Sequence, residues 1–280
     1  MILIDKLTEF IRNPYPLWMN DVVDAIVQNK WLELEASFGM ISYEDYSTAK
    51  LLSGLYNPRL GLKSIVPGVY LEPSEFEYLA DFYKETNLDP ANIIYCEQNN
   101  AVDQLEKAFG FLSKEETCEK AICQLLKRVQ VLKQYEPEYD TSYSHPDVPF
   151  TIFVSLGKEG SVKDVVRLSE SILHEAMHLN LTLIEQLVPL VNDNSVTYYS
   201  PWREEDRPVR GVLHGMFVFR AIFDFYSAIR SSIELPEQLD FIDWRIEVIT
   251  SELSLLEGFP FCEGLSANGA ILSKNLLPLN

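Results

Sequence analysis

Residues 161–178 read SVKDVVRLSESILHEAMH, and this stretch has the features of one long amphipathic helix. Ser161 is a residue type that caps helix N-termini, and Asp164 would fall in the first turn. Apolar residues then recur at helical spacing, at Val165, Val166, Ile172, Leu173 and Met177. The pattern predicts a largely buried helix over residues 162–188.

The same stretch contains the motif His174-Glu175-Ala176-Met177-His178. Residues four apart lie one above the other on a helix, so both imidazoles can face one metal ion, while Glu175 lies about 100° around the axis. A chain with only four histidines seldom places two of them at this spacing by chance. We therefore predict that His174 and His178 bind a metal ion. Two packed core histidines are the alternative.

A third ligand is expected, because two imidazoles alone hold a catalytic metal poorly. His214 is the natural candidate, within a second buried helix predicted over residues 208–230 that Pro208 would open. Gly211 and Gly215 lack side chains on either side of His214, which would let this helix approach the first one closely.

Zinc peptidases also carry HExxH, with the glutamate as general base for water attack. Their ligand patterns fit incompletely, because the residues after His178 lack the glycine and third histidine of the extended motif. A downstream carboxylate ligand would be Glu204 or Glu205, but a solvated loop is the simpler explanation for both. His145, followed by Pro146, is predicted to be a surface residue in a turn.

Three of the ten arginines, Arg203, Arg207 and Arg210, fall within eight residues just before His214. Guanidinium groups bind carboxylates bidentately, so the cluster would suit an anion site beside the metal. If the helix extends back to Arg207, this arginine and Arg210 lie along its face. The alternative is that the arginines pair with the acids between them (Glu204, Glu205 and Asp206).

The periodicity of apolar residues along the chain predicts a mainly α protein of the α+β class. We expect a helical bundle around the metal site, with a small sheet. Residues 1–104 are predicted to form a helical region that is broken at prolines such as Pro58 and Pro73 and is a candidate for substrate binding. Residues 105–280 are predicted to form the metal-binding catalytic region, and the two are expected to make one compact unit. A capping box at Ser113 predicts a helix with an apolar stripe at Ala121, Leu125, Val129 and Leu132, and residues 150–156 predict a strand.

Composition excludes several classes of function. Apolar residues make up 47% of the chain, enough for a sizeable core, and 42 acidic against 23 basic residues give a net charge of −19. This charge repels phosphate backbones and anionic lipid, so no nucleic-acid or membrane partner is expected. Residues 211–229 are apolar and long, but His214, Arg220 and Asp224 among them indicate a buried helix.

The cysteines and the N-terminal stretch point to the cytoplasm. The four cysteines form no CxxC pair and no regular framework, as expected for packing thiols in a reducing compartment. Residues 1–16 carry Asp5 and Glu9 within their apolar stretch and lack the features of a signal peptide. We therefore predict no export.

Three further motifs accompany HExxH: Tyr198-Tyr199-Ser200-Pro201-Trp202-Arg203, Arg207-Pro208, and Gly211-Val212-Leu213-His214-Gly215. Together they resemble the HExxH-type 2-oxoglutarate-dependent peptide β-hydroxylases, the HExxH motif-containing peptide-modification proteins of ribosomal-peptide gene clusters. The resemblance covers roughly residues 160–230, with a weaker likeness over residues 263–272. The first hundred residues carry no matching motif.

The resemblance implies an Fe(II) ion held by His174, His178 and His214, with 2-oxoglutarate and O₂ completing the coordination. Imidazoles suit Fe(II), and three protein ligands leave positions for a bidentate keto acid and for oxygen. The distal carboxylate of 2-oxoglutarate would be held by the clustered arginines (Arg203, Arg207 and Arg210). Tyr199 and Ser200, in the same segment, are further candidates for binding the cosubstrate.

The implied reaction hydroxylates a side-chain Cβ of a residue in a ribosomally synthesised precursor peptide. Glu175 would then orient a ligand or water by a hydrogen bond and would not serve as a base. A zinc metallopeptidase is the main alternative, and a catalytically inactive peptide-binding module is another. The hydroxylase hypothesis allows for a separate leader-recognition partner or for a homodimer.

Overall fold

The computed structural model describes residues 3–40, 63–72, 79–134, 141–157 and 161–277. Helices dominate, and a small mixed sheet accompanies them, which confirms the predicted mainly α, α+β class. The helices are α1 (Leu3–Arg12), α2 (Asn20–Met40), α3 (Ala80–Thr86), α4 (Ile93–Gln98), α5 (Ala101–Leu112), α6 (Glu116–Leu125), α7 (Val162–Glu185), α8 (Val209–Ile229), α9 (Pro236–Ser254) and α10 (Ala267–Leu276). The strands are β1 (Lys63–Val66), β2 (Val69–Leu71), β3 (Arg128–Leu132), β4 (Ser142–Ser144), β5 (Thr151–Ser155), β6 (Thr197–Ser200) and β7 (Glu205–Pro208).

The chain packs as two compact units. The sheet unit comprises Val27–Leu179, and the terminal unit combines Met1–Ile26 with Asn180–Asn280. Residue 104, the predicted boundary, lies within α5, which packs against both α4 and β1. The breaks predicted at Pro58 and Pro73 lie outside the described residues.

The sheet unit contains a five-stranded mixed sheet in the order β1-β2-β3-β5-β4. The central strands β3 and β5 are parallel and wholly buried, and β4 is an edge strand that pairs antiparallel with β5. Strand β5 confirms the strand predicted over residues 150–156. In the β4–β5 register, Ser142 lies opposite Val154 and Ser144 lies opposite Ile152. Because alternate strand residues point to one side, these two serines lie on the same face of the sheet.

The helix that carries HExxH begins as the sequence predicts. The Asp164 backbone N–H donates to Ser161 Oγ at 3.2 Å, and the Ser161 N–H donates to Asp164 Oδ2 at 2.9 Å. This reciprocal pair satisfies donors that the first turn leaves open. The helix ends at Glu185, three residues before the predicted end at 188.

Helix α8 confirms the second predicted helix, with Pro208 as its N-cap. Among the described residues, one helical stretch, Val209–Ser232, has the length and apolar composition that could cross a membrane, but 78% of its most apolar window is buried inside the protein. Arg220 is buried as well, and its Nε donates to Asp224 Oδ1 at 2.8 Å. The stretch therefore packs as a core helix, as predicted.

The helix predicted to follow Ser113 is wrong in its extent. Ser113 is the C-cap of α5, and the next helix, α6, begins at Glu116 with the Glu115 side chain accepting from the Cys118 N–H. Of the predicted stripe, Ala121 and Leu125 are helical, whereas Val129 and Leu132 belong to β3. The alternating sequence of β3 pairs with β2 and β5 there, and these long-range backbone bonds replace the helix.

Candidate metal centre

The two histidines of HExxH form the centre of the candidate site, within the sheet unit. His174 and His178 lie one turn apart on α7, and their Nε2 atoms are 3.1 Å apart. The ring planes are inclined by 71°, with centroids 4.7 Å apart. Both side chains are half-buried. The helical spacing thus brings two ring nitrogens to one point.

The separation of these nitrogens fits a shared metal ion. Imidazole nitrogens lie about 2.0–2.2 Å from a bound first-row metal, so bond angles of about 90–110° place two of them about 2.8–3.6 Å apart. The observed 3.1 Å lies within this range. It is also an ordinary length for a hydrogen bond between two neutral imidazoles. The same arrangement can therefore exist without metal and accept one with little movement.

Glu175 is buried beside the histidine pair and is held by two serines of β4. Ser142 Oγ donates to Glu175 Oε1 and Ser144 Oγ donates to Oε2, each at 2.6 Å. Oε1 is 3.9 Å from His174 Nε2. Burial raises the pKa of Glu175 to about 7, although the two serine hydrogen bonds lower it in part. Glu175 therefore combines a fixed position with a charge that burial makes costly.

The two serines were not identified from the sequence. The sequence indicates part of their arrangement, because Ser142 and Ser144 are two residues apart, and this spacing places two side chains on the same face of a strand. The partner of that strand and the helix that covers it are distant in sequence, however. Strand β4 pairs with residues 152–154, and Glu175 is 31 residues after Ser144.

His214, the predicted third ligand, belongs to the terminal unit and contacts another glutamate there. His214 Nε2 lies 2.8 Å from Glu185 Oε2, and Arg210 Nε donates to the same oxygen at 2.9 Å. Burial raises the pKa of Glu185, but the hydrogen bond and charge of His214 together with Arg210 outweigh it, so the pKa is below its ordinary value. The sequence did not predict this buried, charge-paired role of Glu185.

The three clustered arginines take different positions. Because α8 begins at Val209, Arg210 lies in its first turn, whereas Arg207 lies on β7. Arg207 Nη1 is 2.9 Å from Glu205 Oε1, and both side chains are about half exposed. Arg203 is exposed in the turn between β6 and β7. The pair of Arg207 with Glu205 agrees with the alternative that these arginines neutralise adjacent acids.

The other candidate cosubstrate residues lie on the β6–β7 hairpin. Tyr199 is 42% exposed, whereas Ser200 is buried and its Oγ has no hydrogen-bond partner among the described residues. Trp202 packs against α8 at Gly215, where an added Cβ would come within 2.2 Å of the indole. The absence of a side chain at Gly215 therefore makes room for Trp202, a different use from the helix approach predicted for it.

The remaining candidates lie at the surface or in the core. Glu204 and Glu205 are exposed, as a solvated loop predicts. His145 is half-buried and stacks on Tyr143, with ring centroids 6.2 Å apart. All four cysteines are free thiols (Cys96, Cys118, Cys123 and Cys262).

Within the part of the chain that the structure describes, no group of three or more His, Cys, Asp or Glu side chains is arranged to hold a metal ion. The donors brought together are thus the imidazoles of His174 and His178. The chain matches no protein-family model, and comparison with curated proteins gives no significant match.

Proposed function

We propose that the protein is an Fe(II)- and 2-oxoglutarate-dependent dioxygenase that hydroxylates a side-chain Cβ of a residue in a ribosomally synthesised peptide. The observation that carries the proposal is the pair of imidazole nitrogens 3.1 Å apart, with the motif glutamate tied to two serines. The sequence motifs around Tyr198–Gly215 supply the choice of iron and cosubstrate by resemblance. The cytoplasm is the proposed location, in keeping with four free thiols.

His174 and His178 are the proposed protein ligands of the metal, and His214 is the proposed third ligand. When bound, Fe(II) with 2-oxoglutarate and O₂ supplies the oxidising chemistry that converts a C–H bond into C–OH while the keto acid becomes succinate and CO₂. The two imidazoles bind as neutral donors and leave the remaining positions to small ligands. The proposed role of Glu175 is to accept hydrogen bonds at a fixed position beside them.

A zinc metallopeptidase is the second candidate, because one specific observation favours it. A carboxyl group whose pKa is raised to about 7 by burial is well matched to accept a proton near neutral pH. Against this role, each carboxylate oxygen already accepts a short hydrogen bond from a serine, and Glu175 is only 4% exposed. These contacts suit a fixed acceptor better than a base that must exchange protons with water and substrate.

One experiment separates the two candidates. The protein is incubated with peptides encoded beside its gene, once with Fe(II), ascorbate and 2-oxoglutarate and once with Zn²⁺ alone. A hydroxylase yields a peptide heavier by one oxygen, about 16 Da, together with an equal amount of succinate. A cleaved peptide in the Zn²⁺ reaction, with no succinate in the other, would replace the hydroxylase with the peptidase. Peptide binding without either product would point to an inactive binding module.

The cosubstrate and the third ligand are tested by substitution. Arg203→Ala, Arg207→Ala and Arg210→Ala are each compared for the 2-oxoglutarate concentration that gives half-maximal succinate formation. Because all three arginine side chains are more than a third exposed, losing the one that holds the carboxylate should raise this concentration by up to about fivefold. His214→Ala is expected to weaken metal binding while circular dichroism shows a folded protein. Unchanged metal affinity and turnover in that variant would remove His214 from the ligand set.

A further inference from the structure

The hydrogen bonds of Glu175 give edge strand β4 a part in the metal centre. We propose that Ser142 and Ser144 are positioning residues that hold the Glu175 carboxylate beside His174, so that its negative charge stabilises a cation bound to the histidine pair. The inference rests on the proposed metal site and adds two residues to it. Neither serine would touch the metal, and both act through Glu175.

The geometry of the two hydrogen bonds fixes the carboxylate at both ends. Ser142 donates to Oε1 and Ser144 to Oε2, both at 2.6 Å, so turning the carboxylate would break two short bonds together. Short hydroxyl-to-carboxylate bonds are among the stronger hydrogen bonds in proteins. The backbone supports the arrangement, because pairing with Val154 and Ile152 fixes the position of both serines. The carboxylate therefore has one well-defined orientation.

The fixed orientation places one oxygen of the Glu175 carboxylate close to His174. Oε1 lies 3.9 Å from the Nε2 atom that would bind the metal. A cation bound at that nitrogen would lie close enough to the carboxylate for the two opposite charges to attract strongly in a partly buried site. Among the described residues, no Lys or Arg side chain forms an ion pair with Glu175. A divalent cation on the histidine pair would supply the positive charge that this buried carboxylate otherwise lacks.

Co²⁺ serves as the probe, because its visible absorption reports the ligand geometry and its affinity can be titrated without turnover. Ser142→Ala, Ser144→Ala and the double variant are compared with the wild-type protein. We expect the double variant to bind Co²⁺ about tenfold more weakly, the usual cost of losing a partner that orients the metal environment. Its Co²⁺ spectrum should change as well. Ser142→Thr and Ser144→Thr keep the hydroxyl and should bind nearly as the wild type does.

Ser155→Ala is the matched control. Ser155 is a buried serine on the neighbouring strand β5, and its Oγ accepts from the Thr141 N–H at 2.9 Å without a bond to Glu175. This variant loses a buried serine hydrogen bond in the same sheet and should keep the wild-type Co²⁺ affinity and spectrum. A general loss of sheet stability would affect all three serine sites alike.

A double-mutant cycle decides whether the serines act through Glu175. In a Glu175→Gln background, the two serine substitutions should have no further effect on Co²⁺ affinity. The inference would be overturned if the serine substitutions weakened Co²⁺ binding as much in the Glu175→Gln background as in the wild type. It would also be overturned if the double serine variant lost thermal stability but kept the wild-type Co²⁺ affinity and spectrum. Wild-type protein that binds no Co²⁺ at all would instead remove the metal site, and with it the proposed function.

Discussion

Glu175 and Glu185 lie ten residues apart on α7 and show two opposite ways to bury a carboxylate. Glu175, in the sheet unit, accepts hydrogen bonds from two neutral serine hydroxyls, and burial raises its pKa to about 7. Glu185, in the terminal unit, is also mostly buried, but Arg210 and His214 lie at 2.9 and 2.8 Å from its Oε2, and its pKa is lowered.

The difference shows what each kind of partner contributes. Neutral donors fix the position of a carboxylate but offset little of the cost of burying its charge, whereas cationic partners offset that cost directly. Glu185 thus has a positive partner, Arg210, within the protein. Glu175 lies next to two potential metal ligands. The proposed cation would offset the cost of burying the Glu175 charge, as Arg210 does for Glu185.

The largest expected effect is a pH-dependent penalty from Glu175 in the metal-free protein. Its pKa is about 7 in the folded state and about 4.3 when unfolded, so the folded state binds more protons between these values and loses stability as pH rises through them. Glu175→Gln removes this penalty. The difference in unfolding free energy, variant minus wild type, should therefore increase by about 2–4 kcal/mol from pH 5 to pH 8.

Urea unfolding at both pH values measures this difference. Gln retains the size of Glu and can still hydrogen-bond to both serines, so the comparison isolates the charge. An equal stability difference between variant and wild type at pH 5 and at pH 8 would mean that Glu175 is not titrating differently in the folded protein.

A smaller effect is expected from Glu185, whose charge is already compensated. Glu185→Gln leaves Arg210 and His214 without their anion and should cost about 2–3 kcal/mol at pH 7, below the usual cost for a fully buried pair because Arg210 is 43% exposed. Glu205→Gln is the matched control, since it breaks the exposed pair with Arg207 and should change stability by less than about 0.5 kcal/mol. Equal losses in the two variants, measured by urea unfolding, would contradict this ranking.

The smallest effects concern the packing of the terminal unit around Trp202. Gly215→Ala places a methyl group within 2.2 Å of the Trp202 indole and should cost about 1–3 kcal/mol. Gly211→Ala, four residues earlier on α8, meets nothing within 4 Å and should stabilise the helix by about 0.5–1 kcal/mol. Thermal unfolding of both variants tests the contrast. A stabilised Gly215→Ala protein would show that Trp202 does not occupy this position.

The features that the sequence predicted well are local. The capping residues Ser161 and Asp164 begin α7, and the four-residue spacing of His174 and His178 needs only one helical turn to bring their nitrogens together. Helix α8 and strand β5 were also found, because their apolar runs are long or strongly β-branched. Short-range periodicity determines each of these elements.

The features that were missed depend on residues distant in the chain. Strand β3 alternates Arg128 and Gln130 with valines, and its polar residues are buried because Glu72 pairs with both of them. Nothing in the local sequence indicates that partner, so helical spacing was continued too far. The serines that hold Glu175 and the pairing of His214 with Glu185 were missed for the same reason.

The most direct test of the metal site is an anaerobic equilibrium titration with Fe(II). The wild-type protein should bind one equivalent, and His174→Ala and His178→Ala should each lose at least about 100-fold in affinity, because a removed imidazole takes away a direct ligand. His145→Ala is the control and should bind as the wild type does. Binding of one equivalent with unchanged affinity in both His174→Ala and His178→Ala would contradict the account.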